Sequence, residues 1–287
     1  MKKGFTLVEL LVVVAILGIL AAVGIVSYTG FMGSAKENAT KTNFNSVMKY
    51  IETELYKCDM GLKTEVKNDN TPVTNGDLEV NEILTNKIKE LTPNIPIVSE
   101  ESSLNKKNSE LTKFWLIDPI DGTHDYINNK DEFTLNAALI LNKKPELGII
   151  YAPAKKRLFY TYAPKYCFEY SNGIETKINC EKKTNQNEIV AVSYSDNLKT
   201  QISEIHYKLG VTSYKKMKSS FKFCVIATGE YDLYVAEPRA SEWDIAAGHA
   251  ILKNAGGVIT DFEGNEILYG KKDFKNPSLI VKRSKDL

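Results

Sequence analysis

Residues 114–123 read FWLIDPIDGT, an apolar run followed by two closely spaced acids. The first four residues predict a short buried strand that leads directly into Asp118, with a turn at Pro119. Asp121 follows, and Gly122 would let the backbone approach a ligand closely. Two aspartates three residues apart at a strand end are oxygen ligands that suit Mg²⁺ better than zinc. Taken alone, the same pattern also fits a purely structural turn.

Other acids occupy positions from which they could join this pair. Glu100 and Glu101 follow a predicted apolar strand at residues 95–98. Asp77 and Asp244 lie near the starts of two predicted helices, where the structural alternative for each is a helix cap favoured by the helix dipole. The acids that could carry chemistry therefore gather at the ends of strands and helices.

The bulk properties of the chain exclude some classes of function. It has 287 residues, a hydrophobic fraction of 43% and a formal net charge of +1. This length suits one large domain or two smaller ones, and the near-zero charge argues against a nucleic-acid polymer as partner. No CxxC pair or zinc-type His spacing accompanies the cysteines, so we expect reduced, buried thiols. The four are Cys58, Cys167, Cys180 and Cys224.

Apolar spacing beyond residue 61 alternates between strand and helix patterns, which is typical of a mixed α/β domain. The predicted strands cover residues 95–98, 114–117, 133–141, 147–151, 189–192 and 233–235. The predicted helices cover residues 78–91, 198–209, 219–228 and 243–254, with a turn at 142–145. Of the histidines, we expect His249 to be packed in the interior and His206 to lie at the surface.

The amino terminus differs from the rest of the chain. From Phe5 to Val26 the sequence is apolar except for Thr6 and Glu9, and two lysines precede it. A run of this length predicts a membrane-spanning helix with a cytoplasmic amino terminus. A cleaved secretory signal is the alternative, and the carboxylate inside the run argues against it.

The segment KGFTLVEL, residues 3–10, resembles the signal of type IV pilins and pseudopilins. The resemblance implies cleavage after Gly4, methylation of the new amino terminus at Phe5, and Glu9 as the glutamate used in assembly. It also implies a single-pass protein of the bacterial inner membrane with pilin-type assembly partners. Helical spacing of apolar residues at 44–58 continues this helix. We therefore predict a pilin-like helix over residues 1–61 and a second domain over residues 62–287.

Four motifs of the second domain are similar, in order and spacing, to those of the inositol monophosphatase superfamily. They are PVTNGD at 72–77, EE at 100–101, DPIDGT at 118–123 and WDIAAG at 243–248. The resemblance covers about residues 63–283. It implies an α/β fold with αβαβα layers, of the sugar-phosphatase type, preceded here by one long transmembrane and amphipathic helix. It further implies a Mg²⁺-dependent, lithium-sensitive phosphomonoester hydrolase.

The resemblance also implies two Mg²⁺ sites and a possible third. The implied ligands are Glu100, Asp118 and the carbonyl of Ile120 for the first ion, and Asp118, Asp121 and Asp244 for the second. A third ion would lie near Glu100 and Asp77 through water. Such ions lower the pKa of bound water and neutralise charge on a phosphoryl group. They would also remove the repulsion among the converging carboxylates.

The substrate side of the implied site involves backbone as well as side chains. Thr123, with Thr74 and Asp77, would orient the attacking water, and Glu100 joins them as a catalytic residue. The amides of Gly122 and Thr123 could hold a phosphate oxygen. Asp244 is also implied as a substrate contact.

Within the superfamily, the sequence looks most like the 3′(2′),5′-bisphosphate nucleotidases. The similar segments are PIVSEE at 96–101, EFTLNAALI at 132–140 and SSFKFC at 219–224. This implies conversion of adenosine 3′,5′-bisphosphate, a small phosphorylated substrate, to AMP and phosphate. Ser219, Ser220 and Lys222 would contact that substrate, and the structural alternative for them is a capped helix start with an exposed lysine.

Two segments depart from the nucleotidase pattern. HDY at 124–126 stands where those enzymes carry Lys-Glu-Phe, and PRAS at 238–241 replaces a segment of Gly-Pro-Thr type. Both changes touch the substrate side and leave the predicted metal ligands intact. An inositol monophosphate or other sugar phosphate therefore stays open as the substrate.

A third reading makes the chain a pseudopilin-like structural subunit with an inactive appended domain. The intact acidic set argues against it, because a domain without catalysis has no physical reason to keep mutually repelling carboxylates. The location of the phosphatase domain is open as well. Lysines before the span favour a periplasmic domain, whereas the expected nucleotide substrate is made in the cytoplasm.

Overall fold

The structure is a computed structural model of the chain, and it describes residues 64–67, 72–102, 105–106, 111–180 and 188–287. The predicted pilin-like helix, with Gly4, Phe5 and Glu9, lies outside the described residues. Contacts divide the chain into two units, Met1–Pro96 and Ile97–Leu287. Among the described residues, no helix has both the length and the apolar character needed to cross a bilayer.

The described part of the first unit is a small β-hairpin followed by a helix. Strand β1 (Thr64–Val66) pairs antiparallel with β2 (Pro72–Thr74), and α1 (Asn75–Leu91) follows at once. The hydroxyl of Thr74 caps α1. Asp77 lies in the first turn and Lys89 in the last turn, and the helix dipole favours a negative charge at the first position and a positive charge at the second. The helix predicted from the apolar spacing at 78–91 is confirmed.

The larger sheet of the second unit has seven strands in sequence order, β3 to β9. Only β3 and β4 pair in parallel, and the remaining neighbours are antiparallel. The turn between β5 and β6 consists of Asn142 and Lys143, both with positive φ, which matches the twist of a tight hairpin. The strands are β3 (Ile97–Ser99), β4 (Lys113–Asp121), β5 (Thr134–Leu141), β6 (Lys144–Ala152), β7 (Arg157–Ala163), β8 (Tyr166–Ser171) and β9 (Ile174–Lys177).

The second sheet of this unit has five strands in the order β11-β10-β12-β14-β13. Its β10, β11 and β12 are parallel, whereas β14 runs antiparallel to both of its neighbours. The strands are β10 (Ile189–Ser193), β11 (Val211–Lys216), β12 (Leu233–Ala236), β13 (Val258–Thr260) and β14 (Leu279–Lys282). The helices are α2 (Thr123–Ile127), α3 (Thr200–Lys208), α4 (Phe221–Ala227) and α5 (Glu242–Ala255).

Helices α4 and α5 lie between the two sheets. Helix α5 contacts β4 to β8 of the larger sheet and β13 of the smaller one, and α4 contacts both β6 and β12. Helix α3 covers the other face of the smaller sheet through contacts with β11 and β12. Because both faces of α4 and α5 are covered, most of their residues are apolar and almost all are buried. The second unit thus has β-α-β-α layers, in agreement with the predicted layered α/β class.

Several predictions about individual elements were wrong. Strand β4 does not turn at Pro119 but continues to Asp121. Strands β7, β8, β9, β11, β13 and β14 were not predicted, because most of them are short or mix polar residues with aromatic ones. His206, expected at the surface, is only 5% exposed, because the face of α3 that carries it packs on β11. Burial lowers the pKa of His206.

Candidate active site

An irregularity in strand β4 brings its two acids to one side of the sheet. Asp118 pairs with Asn136 of β5 and Asp121 pairs with Thr134, so three steps along β4 face two steps along β5. Side chains alternate along a strand, and residues three apart would ordinarily point to opposite faces. One extra residue between them reverses the second side chain and also accommodates Pro119, which has no N–H for the ladder.

Three predicted metal ligands from separate elements converge. Glu100 follows β3, Asp118 belongs to β4, and Asp244 lies in the first turn of α5. One carboxylate oxygen from each lies within 4.8 Å of the other two. Asp118 is 1% exposed, so water screens this cluster poorly. Unit charges about 4 Å apart repel by roughly 4 kcal/mol at an effective dielectric constant of 20.

Two acids at this site, Asp121 and Asp244, have raised pKa values. Burial raises the pKa of Asp121 from 3.8 to about 6, and the charge of Glu100 adds to the increase. Burial also raises the pKa of Asp244 well above its usual range, with further increases from Asp121 and Glu100. Asp121 and Asp244 therefore resist ionisation, chiefly because they are buried and also because of the neighbouring negative charges. Hard carboxylate oxygens converging at this spacing fit a Mg²⁺ ion, which would stabilise the ionised forms.

The structure brings together residues from both predicted ligand sets. Asp244 lies with Glu100 and Asp118, although Glu100 and Asp244 were assigned to different ions. Asp121 is coupled electrostatically to Glu100 and Asp244, and it forms a wall of the same cleft as Asp244. The carbonyl oxygen of Ile120 accepts a hydrogen bond from the Thr123 hydroxyl at 3.1 Å. The assignment of individual ligands to two or three ions stays a prediction.

Gly122 is required by the geometry of the turn after β4. Its φ is +98°, and a Cβ placed on it would lie 2.8 Å from the carbonyl oxygen of Glu132. A larger residue would thus be both strained and obstructed. The glycine begins the short helix α2, which opens with Thr123. The proposed phosphate contacts of the Gly122 and Thr123 amides stay a prediction.

Ser220 ties the predicted substrate segment to the acids of β4. Its backbone N–H donates to the Asp121 carboxylate. Its hydroxyl donates to the Asn136 side-chain oxygen at 2.7 Å and is also bonded to the Thr134 hydroxyl at 2.8 Å. These two partners are the residues of β5 that pair with Asp118 and Asp121. Ser220 therefore fixes the start of α4 against the bulged part of β4.

Lys222 differs from the exposed lysine of the structural alternative. It is 5% exposed, and its ammonium group donates to the carbonyl of Ser219. Burial lowers its pKa to about 8, although the charge of Asp121 opposes that decrease. Ser219 is also buried and has a positive φ of 52°. The segment is thus a strained, buried turn that holds a cation beside Asp121.

Thr74 and Asp77, in the first unit, form a capping box at the start of α1. The backbone N–H and hydroxyl of Thr74 donate to the Asp77 carboxylate at 2.8 and 2.6 Å, and the Asp77 N–H donates back to the Thr74 hydroxyl at 3.2 Å. The helix-cap alternative is therefore observed for Asp77. Asp244 is part of a similar capping box with Ser241. Capping does not exclude catalysis, so the catalytic role of Thr74 and Asp77 stays a prediction.

Other predictions concern packed residues. His249 is buried and shares a 2.9 Å hydrogen bond with the Tyr269 hydroxyl, which confirms its interior position. Among the described residues, Cys167, Cys180 and Cys224 are buried, as predicted. Cys58 lies outside the described residues.

The sequence predicted Lys222 as a substrate contact but did not identify the other residues on the basic side of the cleft. The residues that line the cleft include Asp121, Tyr194, Lys222, Tyr234, Arg239 and Asp244. Tyr194 and Arg239 were not assigned a role. The only signal for Arg239 was its presence in the PRAS segment that departs from the nucleotidase pattern, and Tyr194 follows a predicted strand without a motif.

Comparisons with known proteins agree with this geometry. A model of the inositol monophosphatase family matches residues 35–287, and a model of the prokaryotic N-terminal methylation motif matches residues 1–25. The 3′(2′),5′-bisphosphate nucleotidase CysQ of Salmonella typhimurium is 34% identical over 217 residues, which cover 75% of this chain and 87% of that protein.

Solved structures share the fold. CysQ from Bacteroides thetaiotaomicron, a bacterial member of the inositol monophosphatase family, has a TM-score of 0.68 and 27% identity, covering 80% of this chain and 92% of its own. An IMPase/NADP phosphatase complexed with Mg²⁺ and phosphate has a TM-score of 0.68 and 21% identity, covering 83% and 88% of the two chains. The chain therefore belongs to the inositol monophosphatase family, with a prokaryotic N-terminal methylation motif at its amino terminus.

Proposed function

We propose that the chain is a Mg²⁺-dependent phosphomonoesterase that removes the 3′-phosphate of adenosine 3′,5′-bisphosphate and leaves AMP. The observation that carries the proposal is the convergence of Glu100, Asp118 and Asp244 within 4.8 Å, in a family of phosphatases. The named activity of the CysQ relatives, at 34% identity, supports the nucleotide substrate. The cationic side of the cleft supports an anionic substrate.

The residues of this chain have distinct parts in the proposed reaction. Bound Mg²⁺ would supply an activated water and neutralise phosphoryl charge. Glu100, Asp118 and Asp244, with Asp121 beside them, would hold the metal. Ser220 keeps Asp121 in place through its backbone N–H. Thr123 is proposed to orient the water, together with Thr74 and Asp77.

Phosphate release by the purified full chain in detergent tests this function. With adenosine 3′,5′-bisphosphate we expect release in millimolar Mg²⁺, loss of release in EDTA, and suppression by lithium. Asp118→Asn should lower kcat by at least about 100-fold, because it removes an acid central to the cluster. The surface change Asp261→Asn is a matched control and should leave kcat unchanged. Absence of Mg²⁺-dependent release from this substrate would contradict the nucleotidase assignment.

A substrate panel separates the nucleotidase from the alternative hydrolases. Inositol 1-phosphate and a sugar bisphosphate should be hydrolysed with kcat/KM values well below that for adenosine 3′,5′-bisphosphate. Preference for inositol 1-phosphate would favour an inositol monophosphatase. If no phosphate ester is hydrolysed while the chain is folded and binds Mg²⁺, the inactive pseudopilin-like subunit becomes the better account.

We also propose that the amino-terminal segment anchors the chain in the bacterial inner membrane by a single span at about residues 5–26. The support is the methylation motif at residues 1–25 and the length of the apolar run. Processing at Gly4 and Phe5, and pairing of Glu9 with a pilin-type partner, are part of the same proposal. Accessibility of the phosphatase domain to protease in spheroplasts tests on which side of the membrane it lies.

A further inference from the structure

The cleft beside the carboxylate cluster has a second, oppositely charged side built around Tyr194. The Arg239 guanidinium lies 3.4 Å from the centroid of the Tyr194 ring. The ammonium groups of Lys222 and Lys218 lie 5.8 and 5.9 Å from the same centroid. Three cations are therefore gathered around one aromatic ring, and two of them, Lys222 and Arg239, line the same cleft as Asp121.

The topology of the smaller sheet positions the central pair of this group. Tyr194 follows the end of β10, and Arg239 follows the end of β12. Strands β10 and β12 are parallel neighbours, with Val192 opposite Tyr234. Because the carboxyl ends of parallel neighbours share one edge of a sheet, both residues emerge at that edge, where ligands of α/β proteins commonly bind.

The three cations differ in the partners that they have within the protein. Lys218 forms a 3.2 Å ion pair with the buried Asp125, and Lys222 donates to the Ser219 carbonyl. Within the described part of the chain, Arg239 has no carboxylate at ion-pair distance. Its stacking on Tyr194 fixes the plane of the guanidinium and leaves the N–H groups at its edge available to a ligand. Arg239 is thus a preorganised donor.

The positive charges around Tyr194 favour an anionic ligand. Burial lowers the pKa of Lys222, and the nearby positive charge of Arg239 adds to that decrease, while Asp121 opposes it. An anion placed between Lys222 and Arg239 would relieve both effects. A phosphate group suits this position, because arginine binds its oxygens through two parallel N–H bonds and lysine adds a point charge.

We propose that Arg239, stacked on Tyr194 and flanked by Lys218 and Lys222, binds the second phosphate of the substrate, the one that the enzyme does not remove. This inference rests on the proposed function, since it assumes a substrate with two phosphates. The acidic side of the cleft would hold the scissile phosphate through metal, and the basic side would hold the other. Arg239 would then determine specificity for bisphosphates over monophosphates.

Arg239 lies in the PRAS segment at 238–241, where the sequence departs from the nucleotidase pattern. It is distinct from the SSFKFC segment, whose serines and lysine the resemblance already implies as substrate contacts. Tyr194 supplies the surface on which the arginine lies, and it is a positioning residue in this scheme.

Kinetics with matched substrates test the role of Arg239. For adenosine 3′,5′-bisphosphate, Arg239→Ala should raise KM by about 10- to 100-fold, the usual effect of losing one charge-assisted contact. For adenosine 3′-monophosphate, which lacks the second phosphate, KM should change by less than about twofold. Arg239→Lys should restore part of the loss. Tyr194→Leu should resemble a weaker Arg239→Ala, and Tyr194→Phe, which keeps an aromatic ring under the arginine, should restore most of that loss.

A control variant and a binding measurement separate failure of this inference from failure of the proposed function. Lys144→Ala removes a surface charge that is paired with Glu266 and should leave both KM values unchanged. AMP carries only the second phosphate, so its affinity, measured by calorimetry, should fall about tenfold or more in Arg239→Ala. Adenosine should bind both proteins equally.

The outcomes are distinct. Equal loss on the bisphosphate and the monophosphate, or AMP affinity that does not depend on Arg239, would overturn the inference. If the wild type hydrolyses neither nucleotide while AMP affinity depends on Arg239, the phosphate subsite stands and the proposed hydrolysis fails.

Discussion

Burial raises the pKa of Asp121. Without bound metal, this shift makes the stability of the folded chain depend on pH. The pKa of Asp121 in the folded chain is about 6, against 3.8 as the ordinary value. The folded chain therefore binds more protons than the unfolded chain between about pH 4 and 6, and its stability decreases as the pH rises through that window. The contribution is fully present only below about pH 4, and it amounts to about 3 kcal/mol.

Urea unfolding at several pH values in EDTA measures this effect. We expect the free energy of unfolding to fall between about pH 4 and 6, and Asp121→Asn to reduce the slope because the titrating group is gone. Mg²⁺ should also reduce the slope by stabilising the ionised carboxylate. A wild-type curve in EDTA that is flat or rises over this window would contradict the prediction.

Asp244 should show a trade-off between stability and metal binding. Burial and the charges of Asp121 and Glu100 disfavour its ionised form. Asp244→Asn removes that charge and keeps an oxygen that can accept the Ser241 N–H. In EDTA we therefore expect the Tm to rise by about 2–4 °C, which corresponds to about 1 kcal/mol for a domain of this size. The increase of Tm caused by Mg²⁺ should be largely lost, together with activity.

Thermal unfolding with and without Mg²⁺ tests this trade-off. Asp261→Asn is the matched control, because Asp261 is an exposed acid whose carboxylate accepts hydrogen bonds from Asn265 and whose pKa is lowered by them. That variant should gain no stability in EDTA and should keep the full Mg²⁺ response. A lower Tm for Asp244→Asn in EDTA would show that repulsion between the Asp244 carboxylate and those of Asp121 and Glu100 does not reduce the stability of the folded chain.

At the scale of elements, sequence patterns predicted the acids of β4 but not the β-bulge that brings their side chains to one side of the sheet. The apolar run at 114–117 identified β4, and the spacing of Asp118 and Asp121 identified the chemistry. The bulge between them depends on pairing with Asn136 and Thr134, which are distant in sequence. Local patterns cannot predict such register shifts, so a turn at Pro119 was the natural but wrong expectation.

The same limit applied to the edge of the larger sheet. Strands β8 and β9 mix charged, aromatic and apolar residues, and Ile174 is 66% exposed. With little apolar surface to bury, such strands show no clear alternation. The strongly apolar α5 and β5 were predicted nearly to their observed ends, because burial on most sides requires an apolar sequence.

The contact between β6 and α5 controls where Asp244 lies. Gly148 of β6 faces α5 so closely that an added Cβ would lie 2.4 Å from the Ala247 carbonyl and 2.9 Å from the Ala250 side chain. Gly148→Ala should displace α5, with a destabilisation of about 1–3 kcal/mol from overpacking. Since Asp244 is carried by that helix, we also expect weaker Mg²⁺ binding and a lower kcat.

Gly173→Ala provides the comparison for this variant. Gly173 has a φ of +80° in the β8–β9 turn, and nothing lies within 4 Å of an added Cβ. The substitution should cost about 1–2 kcal/mol from backbone strain alone and leave Mg²⁺ affinity unchanged. Urea unfolding and Mg²⁺ titration of both variants separate general destabilisation from displacement of α5. Unchanged Mg²⁺ affinity in Gly148→Ala would show that the carboxylate cluster does not depend on this contact.

At the scale of the whole molecule, the candidate site is assembled from segments more than a hundred residues apart. Glu100 and Asp118 come from the beginning of the larger sheet, and Asp244 comes from the helix that packs beneath it. Motifs quoted from the sequence predicted these members because each has a recognisable local pattern. Tyr194 and Arg239 have none, and their relation depends on the parallel pairing of β10 and β12.

The amino-terminal segment that precedes the phosphatase leads to a separate prediction about membrane attachment and processing. The family model begins at residue 35, and the methylation motif ends at residue 25. In a host with prepilin peptidase, we expect the full chain to fractionate with membranes and to lose residues 1–4. Phe5 should carry one methyl group, detected by mass spectrometry. Glu9 in the apolar run costs about 2.5–3.5 kcal/mol in a bilayer unless it is paired, so Glu9→Val should keep the chain in the membrane and abolish only assembly with pilin-type partners.

Deletion of residues 1–34 should release the protein into the soluble fraction and leave kcat/KM for the nucleotide within about twofold of the full chain, because Glu100, Asp118 and Asp244 all lie outside the deleted segment. Gly4→Leu is the matched control for processing, since it should block cleavage and keep the chain in the membrane. A full chain that is soluble with its first four residues intact would contradict the anchor. A deletion variant that is soluble and folded but inactive would show instead that the amino-terminal segment takes part in forming the phosphatase.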